Sequence, residues 1–201
     1  MSTTRQSRSR GFSLVELVVF IVLVSVAVAG VLGALNVSTR ASVDPMIQKQ
    51  ALAIAEALLE EVQLQPLTYC DPDDPNAPTA LNTGACTGGV AGSEDAPTLG
   101  PEGETRTSAI TPFDNVSDYM APGGFTINPI TDITGTAIPG LTGYSATITV
   151  ARQGVPALAG PVIPAIPAAE ALLISVTVTG PASTTVVLHG YRMRYAPNAL
   201  P

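Results

Sequence analysis

Apolar and polar positions along this chain fall into three regimes. Residues 17–35, LVVFIVLVSVAVAGVLGAL, carry no charge and are apolar on every side. As a helix these 19 residues reach about 29 Å, enough to cross a bilayer core of roughly 30 Å. A one-sided pattern follows. Ile47, Ala51, Ile54, Ala55, Leu58 and Val62 share one helical face, and Lys49, Glu56, Glu60 and Gln63 share the other. That pattern predicts an amphipathic second helix with Pro66 as its stop. Between the two, Asp44-Pro45 reads as an N-cap followed by proline at the first helical position, so a kink or interruption is expected at Pro45.

The last third of the chain alternates with period two. Tyr144, Ala146, Ile148 and Val150 face one way and Ser145, Thr147 and Thr149 the other. Leu172, Ile174, Val176 and Val178 repeat the pattern, Gly180-Pro181-Ala182-Ser183 is a turn, and residues 184–195 make a third strand. Phe125-Thr126-Ile127-Asn128 adds a short fourth. The fold class is α+β: a long N-terminal helix, membrane-spanning in its first half and amphipathic in its second, packed on a small antiparallel sheet. Residues 87–110 read as a long surface loop, and the Pro- and Ala-rich stretch 152–170 as a loop at the sheet edge. Phe113, Val116 and Tyr119 fall at helical spacing and predict a short turn anchoring the first loop to the core.

Composition narrows the function. The chain has 201 residues, one domain with an appendage, and 9 Lys+Arg against 16 Asp+Glu for a net charge of −7. No basic stretch lies beyond residue 10, which argues against a nucleic-acid partner. Mean hydropathy is +0.35, much of it owed to residues 14–35. One His and two Cys are too few for a four-coordinate zinc site. His189 lies in the last strand with no nucleophile or acid that the sequence sets beside it. Gly143, Gly154 and Gly160 do not form a phosphate-binding fingerprint. No motif supports an enzyme, and no cofactor is expected.

The N-terminus carries the sharpest signal. Arg5, Arg8 and Arg10 precede the apolar run, so the N-terminus should stay cytoplasmic and the bulk of the chain should be exported. A conventional signal peptide would fit that much, with a small-residue cleavage site at Ala27-Val28-Ala29. It would gain nothing from Glu16, a carboxylate one residue before the run, where ionised groups are costly and usually functional. The segment RGFSLVELVVFIVLVSVAVAG closely resembles the class III signal and helix of type IV prepilins and type II secretion pseudopilins.

The resemblance is sharp over residues 10–35 and architectural beyond. It implies cleavage by a membrane prepilin peptidase between Gly11 and Phe12, N-methylation of Phe12, and a salt bridge between the new amine of one subunit and Glu16 of a neighbour during filament assembly. A misplaced subunit would leave both charges unpaired. Gly30 and Gly33 are either merely tolerated in a membrane helix or form a close-packing surface. The implied organisation is a leader at 1–11, a transmembrane and filament-core helix at 12–37, an amphipathic helix at 38–66, and an exported pilin-like domain at 67–201. The implied partners are other pilin subunits, the peptidase/methyltransferase, an inner-membrane assembly platform and the membrane. The implied location is the bacterial inner membrane with the C-terminal domain periplasmic, then the pilus or cell surface. Loss of residues 1–11 removes three basic side chains and takes the side-chain charge to −10.

Two cysteines in an exported chain suggest a disulfide between Cys70 and Cys86. It would close a loop with little to bury and contribute on the order of 3 kcal/mol. Asp71, Asp73, Asp74 and Asn76 make an oxygen-rich group for which calcium is conceivable. The spacing does not match an EF-hand and the same residues form turns, so no metal site is assigned. Asn115-Val116-Ser117 has the form of a glycosylation triplet, but a structural role is the stronger reading. Short stretches, including Tyr69-Cys70-Asp71-Pro72, look most like minor pilins of mannose-sensitive haemagglutinin pilus systems, the MshD type. The rivals are a minor pseudopilin of type II secretion, a signal-anchored periplasmic binding module, and a secreted hydrolase beginning at Gly30.

Overall fold

The computed structural model describes residues 13–94, 103–157, 165–194 and 198, and for 36–44 the backbone alone. The chain falls into two units, Met1–Pro45 and Met46–Pro201. The first is built of the N-terminal part of helix α1 (Leu14–Leu64). Its opening hydrogen bond runs from the Leu17 amide to the Ser13 carbonyl at 3.1 Å. The stretch Leu14–Leu35 is 22 residues long, apolar enough to cross a membrane, and none of it is buried. Its Ser25 hydroxyl donates back to the Ile21 carbonyl at 2.7 Å, so the polar atom is satisfied within the helix. α1 passes through Pro45 as one helix rather than restarting there. A proline inside a helix removes one backbone hydrogen bond, and α1 continues on both sides of it.

The second unit holds the end of α1 and a four-stranded antiparallel sheet in the order β1 (Phe125–Ile127), β2 (Ser145–Arg152), β3 (Ala171–Thr179), β4 (Thr185–Met193). Register aligns the apolar face into rows. Phe125 pairs with Ile148, Ile148 with Val176, and Val176 with Leu188. Ile127, Ala146, Val178 and Val186 form a second row, and Val150, Ile174 and Gly190 a third. Ile148, Ile174, Val176 and Val178 are fully buried, in one core cluster with Ala51, Ile54, Ala55, Leu58 and Val62 of α1. The apolar helix stripe and the period-two strands are therefore two sides of one core. α1 ends at Leu64, before Pro66.

Helix and β4 approach closely because the third row ends in glycine. A Cβ on Gly190 would run into Gln63 Nε2 and lie 3.0 Å from Leu59 Cδ1. The other sheet face mixes polar pairs with exposed apolar side chains: Thr126 and Thr147 hydroxyls meet at 3.3 Å and Ser145 and Thr179 at 2.7 Å, while Val187, Tyr191 and Met193 of β4 lie on the same face. His189 belongs to that face, where its Nδ1 lies 2.8 Å from the hydroxyl of the cross-strand Ser175.

The segment before β1 is fastened to α1 by charge and by aromatic packing. Arg106, buried, makes a bidentate ion pair with Glu61, Nε to Oε1 at 2.6 Å and Nη2 to Oε2 at 2.7 Å. Its Nη1 donates to the Asp132 carbonyl at 3.1 Å, and the Tyr119 hydroxyl donates to Glu61 Oε1 at 2.8 Å. Phe113, Tyr119 and Phe125 pack edge to face with centroids 4.9 to 5.9 Å apart.

Two stability outcomes follow for the full chain in detergent, read by thermal melting. Gly190→Val should cost about 1–3 kcal/mol, because the added methyls have no room beneath α1. Arg106→Ala should cost about 2–3 kcal/mol by leaving the Glu61 carboxylate half-buried and unpaired, and Arg106→Lys should recover only part of it because an ammonium lacks the two-pronged geometry.

Candidate functional site

Two places concentrate chemistry. The first is the start of α1. Gly11 and Phe12, with Arg5, Arg8 and Arg10, lie outside the described residues. Glu16 lies in the first turn of α1 and is exposed. A carboxylate there faces unpaired amides and the positive end of the helix dipole. Ser13 and Glu16 also stand at the spacing of a capping pair, a signal that reinforces the helix start. Gly30 and Gly33 have nothing within 4 Å of where a Cβ would sit, so this surface is open to a neighbour.

The second place is the loop region beyond α1. Cys70 and Cys86 form a disulfide with Cα atoms 5.4 Å apart. Around it the polar groups interlock. The Thr68 hydroxyl donates to the Cys70 carbonyl at 2.6 Å and receives the Asn115 amide at 2.6 Å. Asn115 is fully buried and caps the short 3-10 turn Val116–Tyr119, whose Asp118 reaches back to accept from the Asn115 and Asp114 amides at 2.6 and 2.9 Å. The glycosylation-like triplet is thus a capping device. Ser117 donates to Glu94, and Asn198 closes the region by donating to the carbonyls of Ala77 and Ala80 at 2.8 and 2.9 Å.

Of the four oxygen-bearing residues singled out after Cys70, the structure separates two pairs. Asp74 is committed to the loop: it accepts from the Asn76 amide at 2.7 Å and from the Thr87 amide and hydroxyl at 2.6 and 2.9 Å. Burial pushes its carboxyl up, but those hydrogen bonds overcome this and hold it below the usual range. Asp71 and Asp73 instead meet two carboxylates the sequence reading did not single out, Glu104 and Asp114. Burial raises the Asp71 carboxyl, and so do the charges of Asp73 and Asp74. Burial and the charges of Asp71 and Asp118 lift Asp114 to about 7. Glu104 and Asp118 are raised by burial too, with Asp71 adding to both. No local pattern marks Glu104 or Asp114, since each is set by contacts with distant segments.

Residues 6–32 match the family model of the prokaryotic N-terminal methylation motif. No curated protein and no solved structure matches the chain. The matched span contains the Gly11-Phe12 junction, Glu16 and most of the apolar stretch. The match covers 27 of the 201 residues and marks a signal of the kind that type IV pilins and pseudopilins carry, at the head of a long apolar helix.

Proposed function

We propose that the protein is a minor pilin-like structural subunit, cut between Gly11 and Phe12, methylated at the Phe12 amine, and built into or used to prime a type IV pilus. The observation that carries this reading is the methylation motif running into a helix whose Leu14–Leu35 stretch is apolar and nowhere buried. Such a surface needs lipid or other helices around it. Cleavage on the cytoplasmic side would leave that helix in the bilayer with a positive amine a few residues from Glu16. Within this proposal Glu16 pairs with the amine of a neighbouring subunit from its position in the first helical turn. The C-terminal unit would then lie on the periplasmic side and, after assembly, on the filament surface. The resemblance of short stretches to minor pilins of the MshD type favours a pilus over a secretion pseudopilus.

N-terminal mass spectrometry of the chain recovered from membranes tests the class. Methylated Phe12 is the expected terminus; a start at Gly30 or an intact leader from Met1 would overturn the reading. Recovery in sheared pilus fractions, rather than dependence of protein secretion on the chain, separates pilus from type II secretion. Glu16→Ala should leave membrane insertion intact and reduce incorporation severely. Glu16→Gln, which can still cap the helix, should be nearly as defective because the charge is what is needed. Normal incorporation of the glutamine variant would remove the pairing role.

A further inference from the structure

Three segments distant in sequence bring carboxylates to one point. Asp71 and Asp73 come from the loop after α1, Glu104 from the stretch leading to Arg106, and Asp114 from the residue before the Asn115 cap. One carboxylate oxygen from each lies within 4.8 Å of all the others. Two oxygens bound to one calcium ion at about 2.4 Å can stand at most about 4.8 Å apart, and all four oxygens meet that limit.

Glu104 supplies the independent sign of a missing ligand. The residue is 9% exposed, and its Oε2 is buried without a hydrogen-bond partner among the described residues. A buried carboxylate oxygen with no partner is costly, and native structures rarely retain one without water, an ion or a ligand beside it. Asp71 and Asp73 also line an open cleft of about 270 Å³ together with Asp74, Thr87 and Gly92.

We propose that Asp71, Asp73, Glu104 and Asp114 bind one divalent cation of the calcium class, with Glu104 Oε2 as its buried ligand and Asp73 at its exposed side. Hard carboxylate oxygens in this number suit Ca²⁺, which takes six to eight oxygen ligands and completes its shell with water. Mg²⁺ is usually held by only one or two carboxylates and keeps several waters. Zinc wants nitrogen or sulfur, and the nearby sulfurs, Cys70 and Cys86, are tied to each other. Asp118 is a positioning residue: it accepts from the Asp114 and Asn115 amides. The ion would bolt the loop after α1, the Glu104 segment and the Asn115 turn to one another.

Calorimetric titration of the full chain in detergent, stripped with a chelator and then given CaCl₂ alone, tests this. One Ca²⁺ per chain should bind with a dissociation constant below about 1 mM and raise the melting temperature, with Mg²⁺ at least about tenfold weaker. Asp73→Asn, at an exposed position, and Asp114→Asn should each weaken Ca²⁺ at least about tenfold, and Glu104→Gln more. The absence of heat and of any melting shift at about 10 mM Ca²⁺ would overturn the site, as would unchanged affinity in Asp73→Asn or equal affinity for Mg²⁺. N-terminal processing has no bearing on the result, so failure here leaves the pilin reading standing.

Discussion

The second unit depends on one face-to-face contact, that of the last turns of α1 with the apolar rows of the sheet. Ala51, Ala55 and Val62 are fully buried there, opposite Ile148, Ile174, Val176 and Val178. Burying each large aliphatic contributes about 1.5–3 kcal/mol, and no other apolar surface among the described residues offers as much. The small residues matter as much as the large ones. Alanines on the helix and a glycine on β4 let the two backbones approach, and the larger side chains fill the space on either side. Once that contact is fixed, the strands lie in chain order, each antiparallel to the next, and the strand rows have a single register that buries them.

The remaining parts of this unit could not fold by hydrophobic burial alone. The residues between α1 and β1 are rich in Asp, Pro, Gly and Thr. They are held by a disulfide, a buried Asn–Thr hydrogen bond, a capping box and a two-pronged ion pair. These devices are polar and directional, so each specifies one partner. They also draw together carboxylates that would otherwise repel, at a place where the backbone is already constrained.

Legibility from the sequence followed the same division. The helix stripe and the alternating strands could be read because burial there repeats with the period of the element. Tyr144, Ala146 and Ile148, and Leu172 through Val178, sit on the core face that alternation assigned them. Phe113, Val116 and Tyr119 also anchor their segment as spacing suggested. The stretch 87–110 was legible only as a loop. Nothing local tells that Arg106 will be buried, since its partner Glu61 lies 45 residues away on a helix. The acidic stretch after Cys70 was half legible: composition showed oxygen-rich chemistry, but only the folded loop shows that Asp74 turns to Thr87 while Asp71 and Asp73 turn outward to Glu104 and Asp114. At the N-terminus the motif was fully legible, because it is a linear pattern of residues that needs no fold to be recognised.

The evenness of the first unit has its own consequence. A helix coated on all sides with Leu, Val, Ile and Ala looks nearly the same from every azimuth, so aliphatic contact alone gives neighbours no preferred rotation about the axis and no preferred depth. Dispersion forces would hold such helices together as a fluid bundle rather than as a lattice. In such a surface the carboxylate of Glu16 is a charged mark, which under the proposed assembly would give the rod both an angle and a height.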